Sequence, residues 1–573
     1  MKRPWLLAAV AALLLLLLLY TQRAALRAQL FALTGEENTF SQIRAVGHLL
    51  SDLIRPPLNL EAETPIAHNG VNPFGINTFL QQEVEPAKRE RQVQLIADAG
   101  FHWLRQEFPW ADIEISAKGN FDDCRNPPGC VSAWDKYDQI VDLAEQYGLE
   151  LLVRLSSPPN WARAAGDQLG PFAPPDNTAD FADYAAAVAT RYQGRLRYYQ
   201  VWNEPNIYNE WGNQPVDPER YTALLCATYA RLKQVDPTIV VVSGVLAPTA
   251  ELGAANEYGG NNLNDYVYLQ RMYAAGAGPC FDVLSVQGYG LWSGPGDHRR
   301  RPLIVNFGRN QFIRDLMVAN GDAHKAIWIA EMNWNVVPAD PMFLGNFGRV
   351  TVEQQARYAP LAYQRAQEEW PWVGMTAFWF FKRASDAERN SDWYYFRMAE
   401  PDFTLLPVYK TMRDYMHQPP VMYAGWFQED HWAVTWSDGW AAATDPAYVL
   451  GAARQAQGSG ARLSFSFSGT DLLLSTVRGP AGGRISVKID DGPAAVYDLS
   501  AGTVKAEQLG LASGLPNGTH TVTLTSQSGA NVVDGFIVRA TPARTPALLL
   551  LLGGGLLGVW ALARRRVGPA APR

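Results

Sequence analysis

The chain has 573 residues, with 49 Lys plus Arg against 56 Asp plus Glu and a formal net charge of -7. This length excludes a small stapled scaffold, and four cysteines are too few for a disulfide-built fold. The acidic balance lacks the basic face that nucleic-acid binding requires. With 47% hydrophobic and 18% charged residues the chain is too apolar for disorder, and its oddities are 19 tryptophans and leucine runs near both ends.

After Lys2 and Arg3 the chain is apolar from Trp5 to Tyr20, so residues 1–24 read as a transmembrane anchor or a signal peptide. Residues 25–64 read as a juxtamembrane stretch, partly helical and otherwise linker. From 65 to 415, short β-rich runs alternate with helical spacing. The expected strands are 74–79, 102–108, 150–155, 197–202, 239–244, 282–287, 327–331 and 373–380, with helices such as 134–146, 181–192, 218–234 and 352–369 between them. Eight strand-helix units predict an α/β fold, a (β/α)8 TIM barrel. Runs such as TIVVVSG, apolar without alternation, suit strands covered on both faces. An open doubly wound sheet is the alternative, but no glycine-rich phosphate-binding turn supports it.

Between 420 and 541 the pattern changes to short alternating segments broken by Gly, Asp, Asn and Pro, which predicts a β-sandwich. Residues 545–563 read as a second transmembrane helix, and 564–573, opening with three arginines, as a cytoplasmic tail. Both termini would then be cytoplasmic and everything between them extracytoplasmic, at the cell surface. That compartment permits a disulfide between Cys124 and Cys130 across the loop DDCRNPPGC, whereas Cys226 and Cys280 read as buried thiols.

Barrel ligands bind at the C-terminal strand ends. The fourth predicted strand ends RYYQVWNEPN and the seventh IWIAEMNWN, which sets Asn203, Glu204 and Glu331 at the mouth. Two carboxylates on opposite sides of one mouth suit glycosidic bond cleavage, one protonating the leaving oxygen and the other attacking or stabilising the anomeric carbon.

WNEPN on strand four together with AE on strand seven resembles clan A of the glycoside hydrolases, retaining (β/α)8 enzymes, with the cellulase-like family 5 and xylosidase-like family 39 nearest. The resemblance covers residues 65–415. It implies Glu204 as acid/base, Glu331 as nucleophile and Asn203 as the partner of the sugar 2-hydroxyl. It also implies Tyr289 and Arg105 as groups that orient the nucleophile and keep it ionised, and Trp379 as the platform under the sugar. Many relatives carry His at the position of Gln287. The sandwich resembles galactose-binding-like jelly rolls that accompany such barrels.

Aromatic faces suit sugars, so Trp161, Trp211, Trp292 and Trp334 on the predicted top loops are candidate subsite walls. Other readings stand beside these. Glu204 could be a structural acceptor in a turn, Arg105 an ion-pair partner of Glu107, and Trp379 core. In the sandwich, Trp432 and Trp436 are expected to share one strand face, as core, barrel interface or glycan-binding surface. No metal-ligand spacing is present, and no cofactor, metal or nucleic acid is expected. The expected partners are a carbohydrate substrate and the membrane. The function expected is a retaining glycoside hydrolase acting on an extracytoplasmic poly- or oligosaccharide by double displacement. The rivals are a transglycosylase remodelling a surface polysaccharide and a catalytically silent anchored glycan-binding protein.

Overall fold

The computed structural model describes residues 21–126, 128–252 and 261–540. Both predicted membrane segments lie outside the described residues. Among the described residues no helix is long and apolar enough to cross a membrane.

Eight parallel strands form one sheet: β1 (Phe74–Thr78), β2 (Trp103–Pro109), β3 (Glu150–Ser156), β4 (Tyr198–Val201), β5 (Val240–Val242), β6 (Leu284–Gln287), β7 (Ile327–Met332) and β8 (Val373–Phe378). They pair in the order β5-β4-β3-β2-β1-β8-β7-β6. The ring closes between β5 and β6 through backbone bonds from Ser243 to Val283 (3.0 Å) and Leu246 to Ser285 (3.1 Å). These are the eight expected strands, with ends displaced by two residues at most, arranged as a TIM barrel. The sequence also supplies the punctuation of the outer helices. Pro86 opens Pro86–Ala99 and Gly100, at φ +96°, ends it, while Thr351 and Gln354 form a reciprocal cap at the start of Val352–Glu369.

The lower half of the barrel is filled by aromatics. Trp103 on β2, Tyr198 on β4 and Trp328 on β7 meet across the axis with ring centroids 4.8–5.4 Å apart. Side chains two residues further along β2 and β4, Arg105 and Gln200, also point inward and form the polar layer above. On β7 the spacing is three. Opposite β6 the register runs Val286 to Ile329 and then Gln287 to Glu331, so Ala330 is an extra residue. This bulge turns Glu331 into the barrel, where simple alternation from Trp328 would face it outward.

Residues 23–64 carry two helices, α1 (Arg23–Thr34) and α2 (Thr39–Asp52), which pack on each other through Leu30, Val46 and Leu49. The hairpin seats against the loop after β6, where the Gly294 amide donates to the Gly35 carbonyl (2.7 Å). Gly35 is at φ +64°, and a Cβ there would lie 2.5 Å from the Gly294 oxygen, so both conformation and space demand glycine.

The C-terminal unit is built on two facing sheets and also carries a three-stranded sheet of Trp440–Thr444, Ala452–Ala456 and Val532–Val533. One of the facing sheets is built on Arg462–Gly469, Gly518–Ser526 and Arg484–Ile489, the other on Gly535–Arg539, Asp471–Arg478 and Lys505–Ala512. Their facing apolar residues form one core. Asn69 ties this unit to the barrel by donating to the carbonyls of Pro371 (2.8 Å) and Trp426 (3.1 Å). The expected shared face of Trp432 and Trp436 is not formed. Trp432 lies in a turn with its ring edge-on to Phe74 at the foot of β1, while Trp436 packs on Trp440 against the sandwich core. At the far edge Arg539 pairs with Glu63 at 2.9 Å.

Cys124 and Cys130 are bonded across their loop. Cys226 and Cys280, expected as thiols, are bonded as well. The helix Pro218–Val235 packs on the short turn before β6, and this brings together two sulfurs that are remote in sequence. The bond closes a loop of separation 54, which restricts the unfolded chain. Cys226→Ser should therefore cost about 2–4 kcal/mol and lower the thermal midpoint by several degrees. An unchanged midpoint in calorimetry would show that the bond contributes nothing.

Candidate active site

The site is the polar layer at the C-terminal end of the barrel. Arg105 from β2 is its centre, 3% exposed. It donates to Glu331 Oε1 (2.7 Å), Asn77 Oδ1 (2.7 Å), Asn203 Oδ1 (2.8 Å) and Gln200 Oε1 (2.7 Å). Its partner is thus Glu331 rather than Glu107, which pairs with Arg154 at 2.7 Å and accepts from Ser156 and Ser157. Burial opposes charge on Glu107, but Arg154 and the two hydroxyls outweigh it and hold that carboxyl below its ordinary range.

Glu331 Oε2 accepts from the Tyr289 hydroxyl (2.8 Å) and from Gln287 Nε2 (3.0 Å). The same Gln287 nitrogen donates to Glu204 Oε1, so one amide bridges the two carboxyls. Two oxygens accepting from one nitrogen lie within about 6 Å of each other. Burial, then the charges of Glu331 and Glu210, push the Glu204 carboxyl well above its usual range. Burial and the neighbouring Glu331 likewise raise the Tyr289 hydroxyl.

Glu204 owes its position to an unusual backbone. Trp202, which follows β4, has φ +77°, a conformation that costs a bulky residue of order 1–3 kcal/mol and persists only where the surroundings impose it. The surroundings here are explicit. The Trp202 indole donates to the Glu210 carbonyl (3.0 Å), and its ring packs on Trp211 and Phe181.

Asn203, Glu204, Gln287, Tyr289, Glu331 and Arg105 are thereby brought into one hydrogen-bonded cluster. Trp379 follows β8 at the mouth, half-buried, with its ring edge-on to Phe79 and Phe380. Trp161 is half-buried and tied to the barrel wall, its indole donating to the Glu114 carbonyl (2.8 Å) and its ring edge-on to Trp110. Trp334 does not line a subsite. It is fully buried, donates to the Ser293 carbonyl (2.7 Å) and packs on Phe307 and Tyr358. Trp211 is buried too, against Trp202 and Tyr221, whereas Trp292 is exposed.

Four residues of the cluster escaped sequence reasoning. Asn77 accepts from Arg105 and donates to the carbonyl of Ala330, the bulged residue (2.8 Å). Gln200 links Arg105 to Ser285 (2.9 Å). Glu210 accepts from Asn203 Nδ2 (3.1 Å) and so fixes which way that amide faces, and burial raises the Glu210 carboxyl. Arg154 supplies the counter-charge to Glu107. Spacing of two from Tyr198 could have flagged Gln200, but no local signal marks the other three. Among the described residues no group of His, Cys, Asp and Glu could hold a metal ion.

Residues 64–295 match the family model Cellulase (glycosyl hydrolase family 5). Similar solved structures include a family 39 glycoside hydrolase from Bacteroides cellulosilyticus WH2, at 16% identity over 81% of this chain and 82% of that one, with a TM-score of 0.46. A monomeric beta-xylosidase from Caulobacter crescentus CB15 is 14% identical over 82% of this chain and 99% of that one (TM-score 0.42). A glucosidase from Croceicoccus marinus is 11% identical over 82% and 98% (TM-score 0.44). No curated protein matches the chain. With the family model on the first six strands of its barrel, the chain is an O-glycosyl hydrolase resembling clan A.

The raised Glu204 carboxyl makes a prediction for stability. Below the ordinary Glu value near 4.5 the group is neutral in both folded and unfolded chains and contributes no difference. As pH rises from there towards the elevated folded value, the unfolded chain ionises first, so the wild type loses stability. Glu204→Gln should therefore match the wild type in thermal midpoint at pH 4 and exceed it increasingly towards pH 8. A constant gap across that range would contradict the raised value.

Proposed function

We propose that the chain is a retaining glycosidase that cleaves O-glycosidic bonds of an extracytoplasmic oligo- or polysaccharide by double displacement, held at the membrane by its apolar terminal segments. The observation that carries the reading is the single Gln287 amide spanning Glu204 and Glu331. Nearest oxygens within about 6 Å of each other favour the retaining spacing of about 5–5.5 Å over the about 6.5–9.5 Å of an inverting pair.

The roles follow from the environments. Glu331 has a fixed counter-charge in Arg105 and a hydroxyl donor in Tyr289, so it is the nucleophile that attacks the anomeric carbon. Glu204, held protonated by burial beside Glu331, gives its proton to the departing oxygen as the old bond breaks. Two acidic groups with environments that push them apart are what acid/base assignment requires. In the second half Glu204, now a carboxylate, takes a proton from water as its oxygen attacks the same carbon. Glu331 leaves, and the sugar regains its original configuration. Asn203, oriented by Arg105 on one side and Glu210 on the other, presents its amide beside the acid/base for the sugar hydroxyl. Trp379 offers an aromatic face at the mouth.

The purified chain should hydrolyse members of a panel of aryl β-glycosides, with the first-formed sugar in the β configuration by NMR. Glu331→Gln should reduce kcat on the order of 10⁴-fold. Glu204→Gln should lose about 10²–10⁴-fold on alkyl glycosides and much less on nitrophenyl ones, whose leaving group needs no proton. Failure of the whole panel, or an α product, would sink the proposal.

A further inference from the structure

Helix α2 has two apolar faces and only one of them is covered. Its inner face, with Val46 and Leu49, packs on α1. The outer face carries Phe40, Ile43, Gly47 and, in the turn beyond, Ile54. These residues are spaced by three, four and seven and so fall on one side of a helix. Phe40 is 76% exposed, Ile43 55% and Ile54 88%. The loop after β6 that receives the hairpin exposes Trp292 and Leu303, and Gly345 sets the loop after β7 beside Trp292, with Leu344 81% exposed. Three neighbouring elements thus each expose large apolar side chains, which suits a contact surface.

We infer that this edge, formed by α2 and the loops after β6 and β7, lies on a lipid bilayer. The chain itself argues for lipid as the occupant. In the sequence the apolar run Trp5 to Tyr20 enters α1 within three residues, so where that run ends and where the hairpin begins are separated by about 10 Å at most. Arg27 and Arg44 on the same hairpin supply cationic groups that suit lipid phosphates. The loop after β6 also carries Tyr289, and the loop after β7 follows Glu331, so the mouth of the barrel opens beside the membrane plane. This inference rests on reading the N-terminal run as a membrane anchor.

All four cysteines are paired, so a single introduced cysteine labels uniquely. The full chain, in phosphatidylcholine and phosphatidylglycerol vesicles with brominated acyl chains, would carry a bimane at Ile43→Cys, Ile54→Cys or Leu344→Cys. Leu13→Cys inside the apolar run and Val496→Cys on the sandwich serve as references. Quenching of about twofold at the three edge positions, as at Leu13, with none at Val496, is expected for side chains at the acyl boundary. Quenching at Leu13 alone would overturn the inference and leave the anchor standing. Absence of quenching at Leu13 too would remove the anchor and the inference together. Equal quenching at Val496 would mean general adsorption and would overturn the edge.

Discussion

Everything at the mouth of this barrel is arranged around one buried cation. Taking a guanidinium out of water costs several kcal/mol unless its donors are met, and Arg105 places four of its five on acceptors from β1, β4, the turn after β4 and β7. Each acceptor is fixed in turn. Asn77 is held by the Ala330 and Phe378 carbonyls, Gln200 by Ser243 and Ser285, Asn203 by Glu210, and Glu331 by Tyr289 and Gln287. The arginine thus converts the closure of the barrel into the placement of a carboxyl. Any strand that shifts would leave part of an ion buried without a partner.

Two backbone irregularities complete that placement, and both lie where a regular strand would have aimed a glutamate wrongly. The Ala330 bulge rotates Glu331 inward, and the positive φ of Trp202 turns the chain so that Asn203 and Glu204 reach the centre. The strain at Trp202 is offset by the packing of its own indole. Local stability has been traded for geometry at the two residues that face each other across Gln287.

The barrel was legible because buried parallel strands and amphipathic helices leave strong periodic marks, and the carboxyl pair because it ends two such strands. What stayed hidden depends on the third dimension. Trp334 and Trp292 look alike on loops, yet one is buried against Phe307 and the other faces outward, a difference set by which loop covers which. Cys226 and Cys280 carry no spacing signal, because a helix and a turn bring them together. Glu210 lies six residues past Glu204 and reads as surface charge until the turn folds it back onto Asn203. Residues 25–64 were legible only as partly helical, since their apolar spacing does not say which face the barrel covers.

The pairing of Glu63 with Arg539 has a topological consequence. The segment between them contains the whole barrel and the whole sandwich, and its two ends are one ion pair apart. A chain cut in a surface loop and rejoined by a short linker from 539 to 63 would keep every strand neighbour it has now, so the barrel and sandwich form a unit suited to circular permutation. The α1–α2 hairpin lies outside that unit, as an appendage fastened to a finished fold.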